Sequence, residues 1–180
     1  MVRPEALLQR CRLGDEEALE ELIRRWERRL FYYVRRLVAD EADAWDVLQQ
    51  TWLRVLKGIA AVRDADRLVP WMYRVARNAA LTHRRSLLAQ ERWVDREVRV
   101  EALEASDAPE PVWTPAEVHQ GMQGLSVHHR EVLTLFFLDD LSIDGMAQVM
   151  GVSQGTVKSR LFYAKRALRA QLEPTGADHE

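Results

Sequence analysis

A chain of 180 residues suits one or two domains, and its 47% hydrophobic content is enough to build real cores, so wholesale disorder is excluded. With 26 Lys and Arg against 28 Asp and Glu, the formal net charge is only −2, which would argue against a nucleic-acid partner if charge were evenly spread. Cys11 is the only cysteine, so an intrachain disulfide is impossible and a reduced, cytoplasmic setting is the default expectation.

The 5 histidines show no ligand spacing, so neither a metal site nor a cofactor is expected. The longest apolar stretch, Val132 to Leu138, interrupted only by Thr134, is far below the ~20 residues that span a bilayer. The N-terminus lacks the long apolar core and small-residue cleavage site of a signal peptide.

In chain order, almost everything reads as helix. Pro4 to Arg12 forms a short one, ended by Gly14. Asp15 opens a long one with Glu16, Glu17, Glu20 and Glu21 near its positive end. Leu19, Leu22, Ile23, Trp26, Leu30, Val34 and Leu37 then repeat at helical spacing to about Val38. The acids Asp40 to Asp43 mark a turn and a new start.

The next helix, Asp43 to about Lys57, has two contrasting sides. Val47, Leu48, Thr51, Trp52, Val55, Leu56 and Ile59 make a core face. Asp46, Gln49, Gln50, Leu53 and Lys57 share the other arc. A lone outward leucine means little. One ringed by Gln, Asp and Lys has the apolar centre and polar rim of a partner-binding patch.

A loop is expected from Ala61 to Val69, with Pro70 in the first turn of the helix that follows, where its missing N–H costs little. That helix buries Met72, Val75, Ala76, Ala79 and Ala80. Its outer arc carries Trp71, Tyr73, Arg74, Arg77, Asn78, Arg84 and Arg85. Residues 67–90 hold 5 arginines and no acid. Arginine suits phosphate, exposed aromatic rings stack on unpaired bases, and Asn offers paired groups to a base edge. Trp71 and Tyr73 could instead be core residues with snorkelling arginines around them. The set of seven favours single-stranded nucleic acid. Leu81 and Leu88 share the arc with no such role.

From about Gln90 to Trp113 periodicity fades, acids accumulate, and Pro109, Pro111 and Pro115 forbid a continuous helix. Residues 91–113 read as an acidic linker. Thr114 opens a C-terminal domain in which Ser126 and Ser142 cap helices and Val132, Leu133, Leu135, Phe136 and Leu138 supply core. Residues 174–180 read as a frayed, disordered tail.

Leu141 to Arg169 reads as a short helix, a turn at Gly151, and a second helix capped by Ser153. On the second helix Val157, Leu161, Ala164, Leu168 and Leu172 form one stripe. Lys158, Arg160, Lys165, Arg166 and Arg169 lie opposite, with Thr156, Ser159, Phe162 and Tyr163 between them, and no acid occurs from Gly145 to Leu172. This is the pattern of a helix-turn-helix whose second helix enters a major groove.

The residues together resemble a bacterial sigma factor of the extracytoplasmic-function group, over about residues 5–90 and 114–173. DAWDVLQQTWLRVLK resembles the helix that docks on the clamp helices of the polymerase β′ subunit. PWMYRVARNAALTHRR resembles the segment that opens and reads the minus-ten element, and LSIDGMAQVMGVSQGTVKSRLFYAKRAL the helix-turn-helix that reads the minus-thirty-five element. The resemblance implies an all-α protein of two small helical domains. Residues 1–90 would be like sigma domain 2 and 114–173 like sigma domain 4, with the acidic linker threading the RNA-exit path.

It also assigns roles. Asp46, Gln49, Gln50, Leu53 and Arg54 would hold core polymerase, with the β flap as a further contact. Trp71, Tyr73, Arg74, Arg77, Asn78, Arg84 and Arg85 would bind the minus-ten strand. Lys158, Ser159, Phe162 and Tyr163 would face major-groove bases, while Thr156, Arg160, Lys165 and Arg166 would meet phosphates. An anti-sigma factor is the implied inhibitor; no small-molecule substrate or catalytic residue is implied. Trp45 and Gln50 stand where the family has acids, and Gly145 where it favours Glu. The competing expectation is a stand-alone helix-turn-helix repressor or activator with an N-terminal dimerisation domain; an all-helical interaction adaptor is a third.

Overall fold

The computed structural model describes residues 4–88, 114–137 and 140–172. The acidic linker at 91–113, the tail and Leu138 lie outside them. The described residues form eight α-helices and a short 3-10 turn, with no strand: α1 (Pro4–Arg12), α2 (Glu16–Leu37), α3 (Glu41–Gly58), α4 (Ala65–Leu88), α5 (Pro115–Gln123), α6 (Val127–Phe137), α7 (Ile143–Met150) and α8 (Gln154–Leu172).

Local chemistry sets most helix ends. Gly14 takes φ +78° after α1, a left-handed conformation that costs glycine nothing. Asp15 caps α2 by accepting from the Ala18 N–H, and Asp40 caps α3 by accepting from Asp43. Thr114 and Glu117 form a reciprocal capping box at α5. Ser142 accepts from Gly145 N–H at the start of α7, and Gly151 ends that helix in the left-handed region at φ 68°.

The start of α4 departs from expectation. The loop is shorter than Ala61–Val69: Ile59–Ala61 is a 3-10 turn, and α4 already begins at Ala65. Asp64 starts it, accepting from the Asp66 N–H at 3.0 Å. Pro70 is therefore inside the helix, not in its first turn, and the Asp66 carbonyl loses its usual donor.

In the first half, α2, α3 and α4 pack around Leu22, Leu30, Val34, Val47, Leu48, Val55, Met72 and Ala76. Leu56, placed on the core face by periodicity, is exposed. In the second half, the Val157, Leu161, Ala164 and Leu168 stripe of α8 packs on Val132, Leu133, Leu135 and Met146. Phe136 is only partly buried. The halves are not separate beads: α4 lies along α7, and α2 along α6.

Candidate nucleic-acid interface and docking patch

On α4 the exposed residues among those expected to bind a strand are Arg74, Asn78 and Arg85, with Trp71 and Arg84 half-buried. Trp71 is positioned by an absence. A Cβ on Gly58 would sit 2.9 Å from the indole Cζ2, so only glycine leaves room for the ring across the end of α3. Trp71 and Arg74 line an open cleft of 640 Å³ with Arg63 and Arg67, and Gln148 of α7 reaches its rim. Sequence reading gave Arg63 no role and counted Arg67 only as charge.

Two of the seven are placed otherwise. Tyr73 is fully buried at 0% exposure. Its ring meets Tyr33 edge-on at 5.1 Å and Trp26 at 6.4 Å. The outer-arc placement fails on geometry: at ~100° per residue, Trp71 and Tyr73 point about 200° apart and cannot share a face. Arg77 is largely covered, and its Nε donates to Glu131 Oε1 of α6 at 2.6 Å. Tyr33 Oη donates to the same oxygen at 2.8 Å. Burial, then the adjacent carboxylate, pushes the Tyr33 phenol well above its ordinary value, so it remains a donor.

Glu131, at 2% exposure, is the residue that sequence reading missed. A signal existed. It is the only acid in α6 and shares a face with buried Leu135, and a carboxylate on an apolar face needs a partner.

On α8, Ser153 Oγ accepts from Thr156 N–H at 3.1 Å. Asp144 accepts from both Gln148 and Gln154, tying α7 to the start of α8. Lys158, Ser159, Phe162, Lys165 and Arg166 are exposed; Thr156, Arg160 and Tyr163 are half-buried. Phe162 meets Tyr163 edge-on, with the Arg166 guanidinium 5.8 Å from its ring centre. Lys165 Nζ lies 4.7 Å and 5.2 Å from the Phe136 and Phe137 rings, two cation–π contacts that orient it.

On α3, Asp46, Gln49, Gln50 and Arg54 are all exposed, and Leu53 among them is 54% exposed. Exposed Leu56 and Trp45 extend the apolar surface of this helix. Among the described residues there is no cluster of potential metal ligands, and no helix is long and apolar enough to cross a membrane.

Comparison with known proteins agrees with this layout. Residues 22–89 match the family described as Sigma-70 region 2, and residues 116–168 match Sigma-70, region 4. The chain is 31% identical to the RNA polymerase sigma-H factor of Pseudomonas aeruginosa over 182 residues, 93% of each chain. It is 36% identical to the ECF RNA polymerase sigma factor SigL of Mycobacterium tuberculosis over 157 residues, 82% of this chain and 84% of the relative. Among solved structures, CnrH in complex with the cytosolic domain of CnrY superposes with a TM-score of 0.68 at 22% identity, covering 97% of this chain and 100% of that one. The sigma factor RpoE of Bartonella quintana, in complex with the anti-sigma factor NepR, also gives 0.68, at 20% identity over 87% of this chain and 97% of that one. The two regions in this order, with relatives matching along most of their lengths, make the chain a member of the extracytoplasmic-function group of bacterial RNA polymerase sigma factors.

Proposed function

We propose that this protein binds core RNA polymerase, brings it to promoters by reading the minus-ten and minus-thirty-five elements, and helps part the DNA strands. The carrying observation is the joint exposure of three faces on three helices: the Leu53 patch on α3, Arg74 and Asn78 beside Trp71 on α4, and Lys158, Ser159 and Phe162 on α8. A self-sufficient repressor has no use for the first.

In this reading Leu53 docks on the β′ clamp helices within its rim of Asp46, Gln49, Gln50 and Arg54, and the second half contacts the β flap. Lys158, Ser159, Phe162 and Tyr163 face base edges of the upstream element, while Thr156, Arg160, Lys165 and Arg166 meet phosphates. Arg74, Arg84 and Arg85 hold the non-template strand, Trp71 stacks on an unpaired base, and Asn78 meets a base edge. Tyr73 supports that helix from beneath. Catalysis belongs to the polymerase, and the setting is the cytoplasm. An anti-sigma protein, like those bound to CnrH and RpoE, is the expected inhibitor.

The test adds the protein to core polymerase and a panel of promoter DNAs. Promoter-specific transcription that needs both components supports the reading. A footprint by the protein alone, as a dimer on two half-sites, would replace it with the repressor.

A further inference from the structure

Glu131 joins three helices from both halves: α6, which carries it, α2 through Tyr33, and α4 through Arg77. Burying a carboxylate costs several kcal/mol unless partners converge on it, and here a guanidinium and a phenol converge on one oxygen. The Arg77 side chain retains 15% of its surface and Glu131 2%. A strand phosphate therefore cannot reach that guanidinium while Glu131 is in place.

A second contact closes the same interface from the other end. Gly145 of α7 is buried against α4, where a Cβ would lie 3.4 Å from Pro70 Cγ. A longer side chain there has to cross Pro70. The same approach brings Gln148 to the rim of the Trp71–Arg74 cleft.

The interface also carries an opposing force. Arg130, beside Glu131, has a buried Nε with no hydrogen-bond partner among the described residues. Burial, then Arg36, Arg84 and Arg35, lowers its affinity for a proton. Two of those neighbours belong to α2 and one to α4. Closing thus crowds like charges around a single buried ion pair, an arrangement that favours two discrete states over gradual loosening.

We propose that this closed form is an autoinhibited state in which the Glu131 carboxylate occupies Arg77 in place of a strand phosphate, so that closure of the halves and full single-strand binding exclude each other. The proposal rests on the assignment of α4 as the strand-binding helix. It makes Glu131 an internal phosphate mimic and the α7–α4 contact its lock. Polymerase or strand then selects the open form.

Gly145→Glu tests this directly. Residue 145 is three positions after the Ser142 cap, where Glu completes a capping box, so the variant supports α7 while wedging it from Pro70. The full chain is followed by small-angle scattering and by binding of a fluorescent single-stranded oligonucleotide of mixed sequence, with circular dichroism confirming helicity. Glu131→Gln serves as the second variant, since it keeps the volume and removes the charge. Both are expected to raise the radius of gyration and tighten strand binding about 5-fold, within the usual range of coupling between sites, and Arg77→Ala added to either should remove the gain. Opening with unchanged strand affinity overturns the clasp alone. A radius of gyration identical in wild type and both variants overturns it as well. Opening with no strand binding by any of the proteins overturns both the clasp and the assignment of α4.

Discussion

The indole of Trp45 stacks on the ring of Phe31 at 4.2 Å between centroids with 30° between planes, yet Trp45 remains 48% exposed. The pair fastens α3 to α2 while leaving an apolar surface on the outside of α3. Leu53 is exposed on the same helix and contributes nothing to the core. Leu53→Asp is accordingly expected to weaken binding to core polymerase by 10-fold or more, the loss typical of an anchor at the centre of an interface. Its thermal midpoint should stay close to wild type. Unchanged affinity in a direct titration with core polymerase would remove the patch from the docking surface.

Trp71 and Tyr73 separate strand binding from stability. Tyr73 fills the space between Trp26 and Tyr33, and Tyr73→Ala should cost about 3–5 kcal/mol in urea unfolding, as large aromatic truncations in cores do. Trp71 is half-buried over Gly58. Trp71→Ala should cost less stability but about 1–3 kcal/mol of strand affinity, the value of one stacking contact. Equal losses in both assays for both variants would mean that Trp71 is merely a core residue.

What the sequence disclosed was local. Asp15, Ser126, Ser142 and Ser153 cap the helices expected of them, because a cap is written within three residues. The α8 stripe was equally plain, since one face packs and one does not. The start of α4 was not legible, because a proline inside a helix is tolerated when tertiary packing holds the segment and Pro70 is itself buried. Tyr73 was misplaced by grouping residues by chemistry and not by angle. Leu56 was assigned inward from a wheel that cannot see where the neighbouring helices stop. The Glu131 clasp joins residues 98 and 54 apart in sequence, and no local pattern encodes such a pairing.

Lys158 distinguishes upstream recognition from melting. It is exposed on α8, on the opposite side from buried Val157, Leu161 and Ala164. Lys158→Ala should lower promoter-dependent initiation by about 10-fold, the effect of losing roughly 1–3 kcal/mol at one base contact. A template already melted around the start site should not rescue it. Full rescue would assign Lys158 to strand opening.

Gly151 tests the turn itself. Its φ of 68° is left-handed and nothing lies within 4 Å of where a Cβ would stand. Gly151→Ala therefore meets strain without a clash, and should cost about 1–2 kcal/mol. Urea unfolding measures that cost. A loss well above this range would indicate that the turn packs more tightly than the open space around Gly151 allows.

His129 gives the second half a pH dependence of definite sign. Burial first, then His128 and Arg160, hold its imidazole below the ordinary 6.5. The unfolded chain therefore takes up this proton before the folded one does as pH falls. The stability linked to His129 is complete above about pH 6.5 and declines as pH drops through and below that value. His129→Gln keeps the backbone N–H that Ser126 Oγ accepts from at 3.3 Å, and removes the titration. The difference in urea midpoint between wild type and variant should be constant from pH 8 to 7 and shift towards the variant as pH falls to 5.5, the shared carboxylates cancelling in the comparison. A difference that shifts towards wild type over the same interval would mean that His129 gains a proton on folding, and that the Arg160 and His128 charges do not govern it.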